Sequence, residues 1–161
     1  MTEGKPPPPS AERLLAIIAI QNEIAAAALD MASVMRVVAS RAALLTGAAG
    51  SVIELVEGDA LVHRAVAGSA ANTLGHRLSR ERSLSGSCVA QGEPLRSDDT
   101  DKDDRVDRET CRRLRAASMI CVPLLQDGVA VGVLKVTSPR TSAFTEEDVE
   151  TLRLLAAIVV T

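Results

Sequence analysis

The chain has 161 residues, 47% of them hydrophobic, and a net charge of −3, which suits one globular domain with a sizeable core. Its one aromatic residue is Phe144, so there is no stacking surface for single-stranded nucleic acid and no aromatic wall for a purine or a flat chromophore. The acidic balance offers no general attraction to nucleic acid or an anionic membrane, and no apolar run approaches the ~20 residues that span a bilayer.

Residues 1–10, with four consecutive prolines from Pro6 to Pro9, read as a disordered leader and not as a signal peptide; residues 11–161 read as a single domain. Cys88, Cys111 and Cys121 lack the paired spacing of a disulfide framework or a zinc site, which favours a cytoplasmic location.

Ser10 is placed to cap a first helix, in which Leu14, Leu15, Ile17, Ile18, Ile24 and the run Ala25 to Ala28 are apolar on more than one side. Such a helix buries two faces, here one against the domain and one against a partner helix. Asp30 caps a second helix over Met31 to Leu45, ended by Gly47. Ser51 to Val56 and Ala60 to Ala67 form a hairpin about Glu57-Gly58-Asp59. Alternation puts His63 on its polar face, and His76 falls in the irregular stretch from Gly68 to Arg82, so both read as surface histidines. Leu84 to Gln91 is a short helix closed by Gly92, and the stretch from Pro94 to Ser97 is at most an edge strand.

Arg96 to Arg115 is dense in charge, with aspartates first and arginines later. It reads as a solvated loop with a short helix from Asp107 to Arg115, or as a lid, since long connections in compact domains are often functional. Asp99, Asp101 and Asp103 alternate as oxygen ligands for a hard cation would, but the glycine and distal glutamate of a calcium loop are missing, and no metal is expected. Met119 to Pro139 holds two apolar runs about Asp127-Gly128, a hairpin with a strand covered on both faces. Gly132 marks a close approach by backbone or ligand, or a bulge. Thr145 caps a last helix that is still apolar where the chain stops, which suggests a piece of a longer protein.

This order of elements resembles a GAF domain. Carrying the resemblance are Leu84-Ser85-Gly86, Gly92-Glu93-Pro94, Asp98 to Arg105, Ser118, Val122-Pro123-Leu124, Gly128, Val131-Gly132-Val133-Leu134, and Phe144 followed by Glu147-Asp148. It covers roughly Ile20 to Val160. The resemblance implies an α+β fold: a PAS-like antiparallel sheet with its terminal helices on one face and a ligand chamber, under a loop and short-helix lid, on the other. It also implies a bacterial, non-catalytic sensory module that homodimerises through those helices and regulates an output domain (histidine kinase, diguanylate cyclase, cyclic-di-GMP phosphodiesterase or transcription activator). It places Ser85, Cys88, Ser97, Asp98, Arg105, Cys111 and Ser118 around the chamber, for an unidentified small molecule and an unknown cofactor. A purely structural dimerisation module, or a thiol enzyme similar to free-methionine-sulfoxide reductases, is the alternative.

More specific GAF chemistries match less well. The Asn-Lys pair of cyclic-nucleotide-binding members is replaced by Thr137-Ser138, and phytochrome-like bilin sites have no counterpart around Cys111. Free-methionine-sulfoxide reductases are similar in placing a cysteine near Cys111, but their second cysteine is Ser85 here, with Cys88 three residues later. Arg112 and Arg113 would lower the Cys111 thiol pKa if they faced it. No nucleic acid or membrane partner is expected.

Overall fold

The computed structural model describes residues 7–160. The elements run α1 (Ala11–Ala27), α2 (Met31–Thr46), β1 (Gly50–Glu57), β2 (Ala60–Gly68), β3 (Arg77–Ser79), α3 (Leu84–Gln91), β4 (Leu95–Ser97), α4 (Arg108–Arg113), β5 (Ser118–Gln126), β6 (Val129–Ser138) and α5 (Glu146–Val159), with 3-10 turns at Ala71–Thr73 and Thr100–Lys102. The six strands form one antiparallel sheet in the order β3-β2-β1-β6-β5-β4. The expected leader lies mostly outside the described residues; Pro9, within them, is buried.

Local chemistry sets the element ends. Ser10, Asp30 and Ser83 side chains each accept a backbone N–H in the first turn of α1, α2 and α3. Thr145 and Asp148 form a reciprocal capping box on α5. Asp127 and Gly128 both have positive φ, as a two-residue turn between twisted strands requires, and they join β5 to β6. The stretch Gly68 to Arg82 is more ordered than its composition predicts: it supplies a 3-10 turn and the edge strand β3.

Helices α1, α2 and α5 cover one face of the sheet. Their core joins Ile17, Ile20, Val38, Leu152 and Leu155 to Ile53, Ile120, Val122, Leu134 and Val136 from alternate positions of the central strands. On the opposite face, Leu61, Leu84, Cys88, Cys111, Met119, Cys121 and Val133 form a smaller core under α3 and α4.

Two bulges set which residues reach that second face. In β2 the partner of Ile53 is Ala65 and that of Glu54 is His63, so Arg64 is the extra residue. In β6, Leu124 faces Gly132 and Leu125 faces Ala130, so Val131 is extra. At Gly132 a Cβ would collide with the carbonyl oxygen of Glu54 on β1. Gly132 therefore marks a backbone approach beside a bulge.

Candidate functional site

Glu54, His63 and Lys135 are buried together on the second face. Glu54 on β1 is fully buried, and directly across from it on β2 stands His63. Lys135, on β6, is offset by two positions from the residue opposite Glu54 and reaches back, its Nζ 3.2 Å from Glu54 Oε1. From above, Ser85 in the first turn of α3 donates its hydroxyl to the same oxygen at 2.7 Å. Burial works against ionisation of Glu54, but Lys135, then His63 and Ser85, outweigh it and hold the carboxyl lowered to about 2. Burial likewise disfavours the Lys135 ammonium, but the Glu54 charge and hydrogen bond, together with the Cys121 and Cys111 thiols, outweigh it and leave that group raised from its ordinary value.

The orientation of His63 follows from its neighbour. Thr73, in the 3-10 turn, donates its one hydroxyl proton to the Ala70 carbonyl at 2.7 Å. Its oxygen is therefore the acceptor in the 2.9 Å contact with His63 Nδ1, which must carry a proton. The other ring nitrogen, Nε2, points at Glu54 Oε2 across 3.5 Å, and neither atom has a hydrogen-bond partner among the described residues.

Above this cluster lies a cavity of about 220 Å³. His63 and Lys135 line its floor with Val52 and Thr137; Ser69 to Ser79 form one wall, and Ser83 to Ser85 with Val106 to Leu114 the other. Glu54 does not line it.

Of the residues expected around a chamber, Ser85 and Cys111 line this cavity. Cys88 is buried in the core beneath α3, and Ser97 is buried on the edge strand β4. Asp98 is exposed and pairs with Arg96; Arg105 is exposed and pairs with Asp103. Ser118 is committed to the loop after β6, donating to Arg140 O and accepting from Ala143 N. Thus only the second half of the charged stretch covers the cavity. The aspartates of its first half work separately: Asp99 caps a turn, Asp101 pairs with Arg112 and Asp103 with Arg105. Among the described residues no group of His, Cys, Asp and Glu is placed to hold a metal.

His63 is not the surface residue its alternation predicts: it is 2% exposed, because Leu61 and His63 share the face that the short helices cover. Glu54, Lys135 and Thr73 were also missed. The available signal was a pair of charges, Glu54 and Lys135, inside otherwise apolar strands, where a charge must find a partner. All three cysteines are buried, Cys88 and Cys121 as the apolar patterns around them imply. Burial dominates at all three, raising Cys121 to about 12 and also raising Cys88 and Cys111. Arg112 and Arg113 are exposed and do not reverse this at Cys111.

A single antiparallel sheet, with terminal helices on one face and a cavity under short helices on the other, is the architecture of a small sensory-type α+β domain. A family model for the GAF domain matches residues 28–160, and the chain belongs to that family. The fold superposes on the GAF domain of an Acinetobacter phosphoenolpyruvate-protein phosphotransferase with a TM-score of 0.81, at 19% identity over 94% of this chain and 92% of that one. The free methionine-R-sulfoxide reductase of Neisseria meningitidis, solved with its substrate, gives 0.71 at 28% identity, covering 93% and 89%. The GAF-B domain of DevS from Mycobacterium smegmatis gives 0.66 at 25%, covering 81% and 90%. A search of curated proteins finds no match. No helix of the described residues is long and apolar enough to cross a membrane.

Proposed function

We propose that this GAF domain is a cytoplasmic, non-catalytic sensory module that binds a small molecule in the cavity and passes the change through dimerised terminal helices to an output domain. The observation that carries the reading is the cavity floored by His63 and by Lys135, whose buried charge is kept in place by Glu54 rather than replaced by an apolar side chain. The opposite face supports the relay. Leu15 and Ile18 of α1 remain 66% and 49% exposed, and Leu154 of α5 is also exposed. Arg13 ties the two helices together through Asp148 at 2.7 Å and Glu147 at 3.0 Å. A ligand that favours one packing of α3 and α4 would bias the sheet on which α2 and α5 rest, and through them α1, which packs on both.

Likeness to the Neisseria reductase is the ground for a second reading, a thiol enzyme, in which Cys111 in the cavity wall would be the attacking group. The buried, raised thiols favour the sensory reading. Native mass spectrometry of the purified domain tests the two together. A dimer carrying or accepting a small molecule is the expected result. A bare monomer that turns over free methionine sulfoxide would replace the sensory reading with the enzymatic one.

A further inference from the structure

We infer that the cavity takes a small aliphatic monocarboxylate, its carboxylate seated at Lys135 and its chain against the apolar part of the wall. The inference rests on the sensory reading above and specifies the chemical class of its ligand.

Hydrogen-bonding capacity at the floor is the first ground. An ammonium has three protons to give. Among the described residues Lys135 meets one acceptor oxygen, Glu54 Oε1, so donors remain for a bound molecule. On the acceptor side little is left. Glu54 Oε1 is shared by Lys135 and Ser85, its Oε2 faces His63, and the carboxylate stands behind the cavity lining. Asp107, the one lining carboxylate, is exposed and already accepts the Thr110 N–H and hydroxyl as the cap of α4. A ligand ammonium would therefore find no free carboxylate, whereas a ligand carboxylate finds an available cation.

Charge and shape narrow the class. The lining includes the cations Lys135, Arg77 and Arg113 against Asp107, so with Glu54 behind Lys135 one positive charge is left over, which one carboxylate neutralises. Val52, Leu84, Leu114 and Met119 offer apolar surface that inorganic phosphate would leave unused. The volume of about 220 Å³ lies below the ~300–1,000 Å³ of pockets for drug-sized ligands, which limits the chain to a few carbons.

The test compares butyrate, hexanoate, butyramide, butylamine and inorganic phosphate by calorimetric titration at one ionic strength, on the wild-type domain and on the double variant Glu54→Gln/Lys135→Met. The double variant removes the cation without stranding a buried charge, and its fold is checked by circular dichroism. Butyrate should bind at least about tenfold more tightly than butyramide or butylamine, and the double variant should lose that preference. Equal or tighter binding of the amide or the amine would overturn the assignment, as would a butyrate preference that survives in the double variant. Phosphate binding as well as the carboxylates would reduce the site to a general anion site. Binding by none of the probes would overturn it too. Failure of these probes leaves the sensory reading standing unless native mass spectrometry also finds nothing retained and a mixture of small metabolites gives no thermal shift, or the domain turns over free methionine sulfoxide.

Discussion

Lys135 and Glu54 lie on neighbouring strands, two positions out of register, and their Nζ and Oε1 atoms meet at 3.2 Å with both side chains almost wholly out of solvent. Ions so deeply buried are costly to desolvate, so the pair stabilises the domain only in comparison with either ion alone. That asymmetry makes its energetics open to test.

Removing one partner should be far worse than removing both. Lys135→Met leaves the Glu54 carboxylate buried beside only His63 and Ser85, and a loss of about 3–5 kcal/mol is expected in urea denaturation. The double variant Glu54→Gln/Lys135→Met should recover most of that loss. A double variant as unstable as the single one would show that the charges themselves are required for folding.

Stability should fall on acidification over a defined window. Because the Glu54 carboxyl is depressed in the fold from 4.5 to about 2, its contribution is complete above the unfolded value and fades as pH drops from about 4.5 towards 2. Lys135 is raised above 10.5, so its share is complete below that pH and disappears only in stronger alkali. Denaturation midpoints of wild type and Glu54→Gln should therefore converge as pH falls through the acid window. A constant gap between the two would contradict a charged Glu54.

The thiols should be inert in the folded state. Burial raises Cys88, Cys111 and Cys121 alike, so little thiolate exists near neutral pH. A disulfide reagent such as Ellman's should react at rates limited by opening of the domain. Cys111, in the cavity wall, should be the first to react. Fast stoichiometric labelling of Cys111 in folded protein would revive the thiol-enzyme reading.

Gly86 should not tolerate a side chain. A Cβ there would run into the carbonyl of Arg80, where the loop before α3 crosses the helix. Backbone cannot yield as a flexible side chain can, so Gly86→Ala should cost about 1–3 kcal/mol and shift Ser85 from Glu54. Thermal denaturation reads the first effect and ligand titration the second. A variant unchanged in both would mean that the loop moves freely.

The exposed apolar side of α1 should mediate self-association. Leu15→Lys with Ile18→Lys touches no core residue, since Ile17 and Ile20 face inward. Analytical ultracentrifugation should show a wild-type dimer shifting to monomer with the melting temperature of the monomeric unit unchanged. Equal sedimentation of the two proteins would locate any dimer contact elsewhere.

Most of the architecture was legible from residues alone, because it depends on local chemistry. Caps at Ser10, Asp30 and Thr145, the left-handed stop at Gly47, and the Asp127-Gly128 turn are decided within a few residues of themselves. Apolar residues at both odd and even positions from Val129 to Val136 identify a strand covered on both faces for the same reason. What alternation could not give was the site. The bulges at Arg64 and Val131 shift strand parity, and only pairing with the neighbouring strand shows where an extra residue is inserted. Glu54, His63 and Lys135 come from three strands and meet Ser85 from a helix, so their partnership exists only once the chain is folded. The same holds for Asp98, Arg105 and Ser118, whose neighbours are settled by where the charged loop and the loop after β6 come to rest. Local sequence determines elements through short-range hydrogen bonds and periodicity; a buried charge cluster is decided by long-range pairing and by the cost of leaving any one ion unmatched.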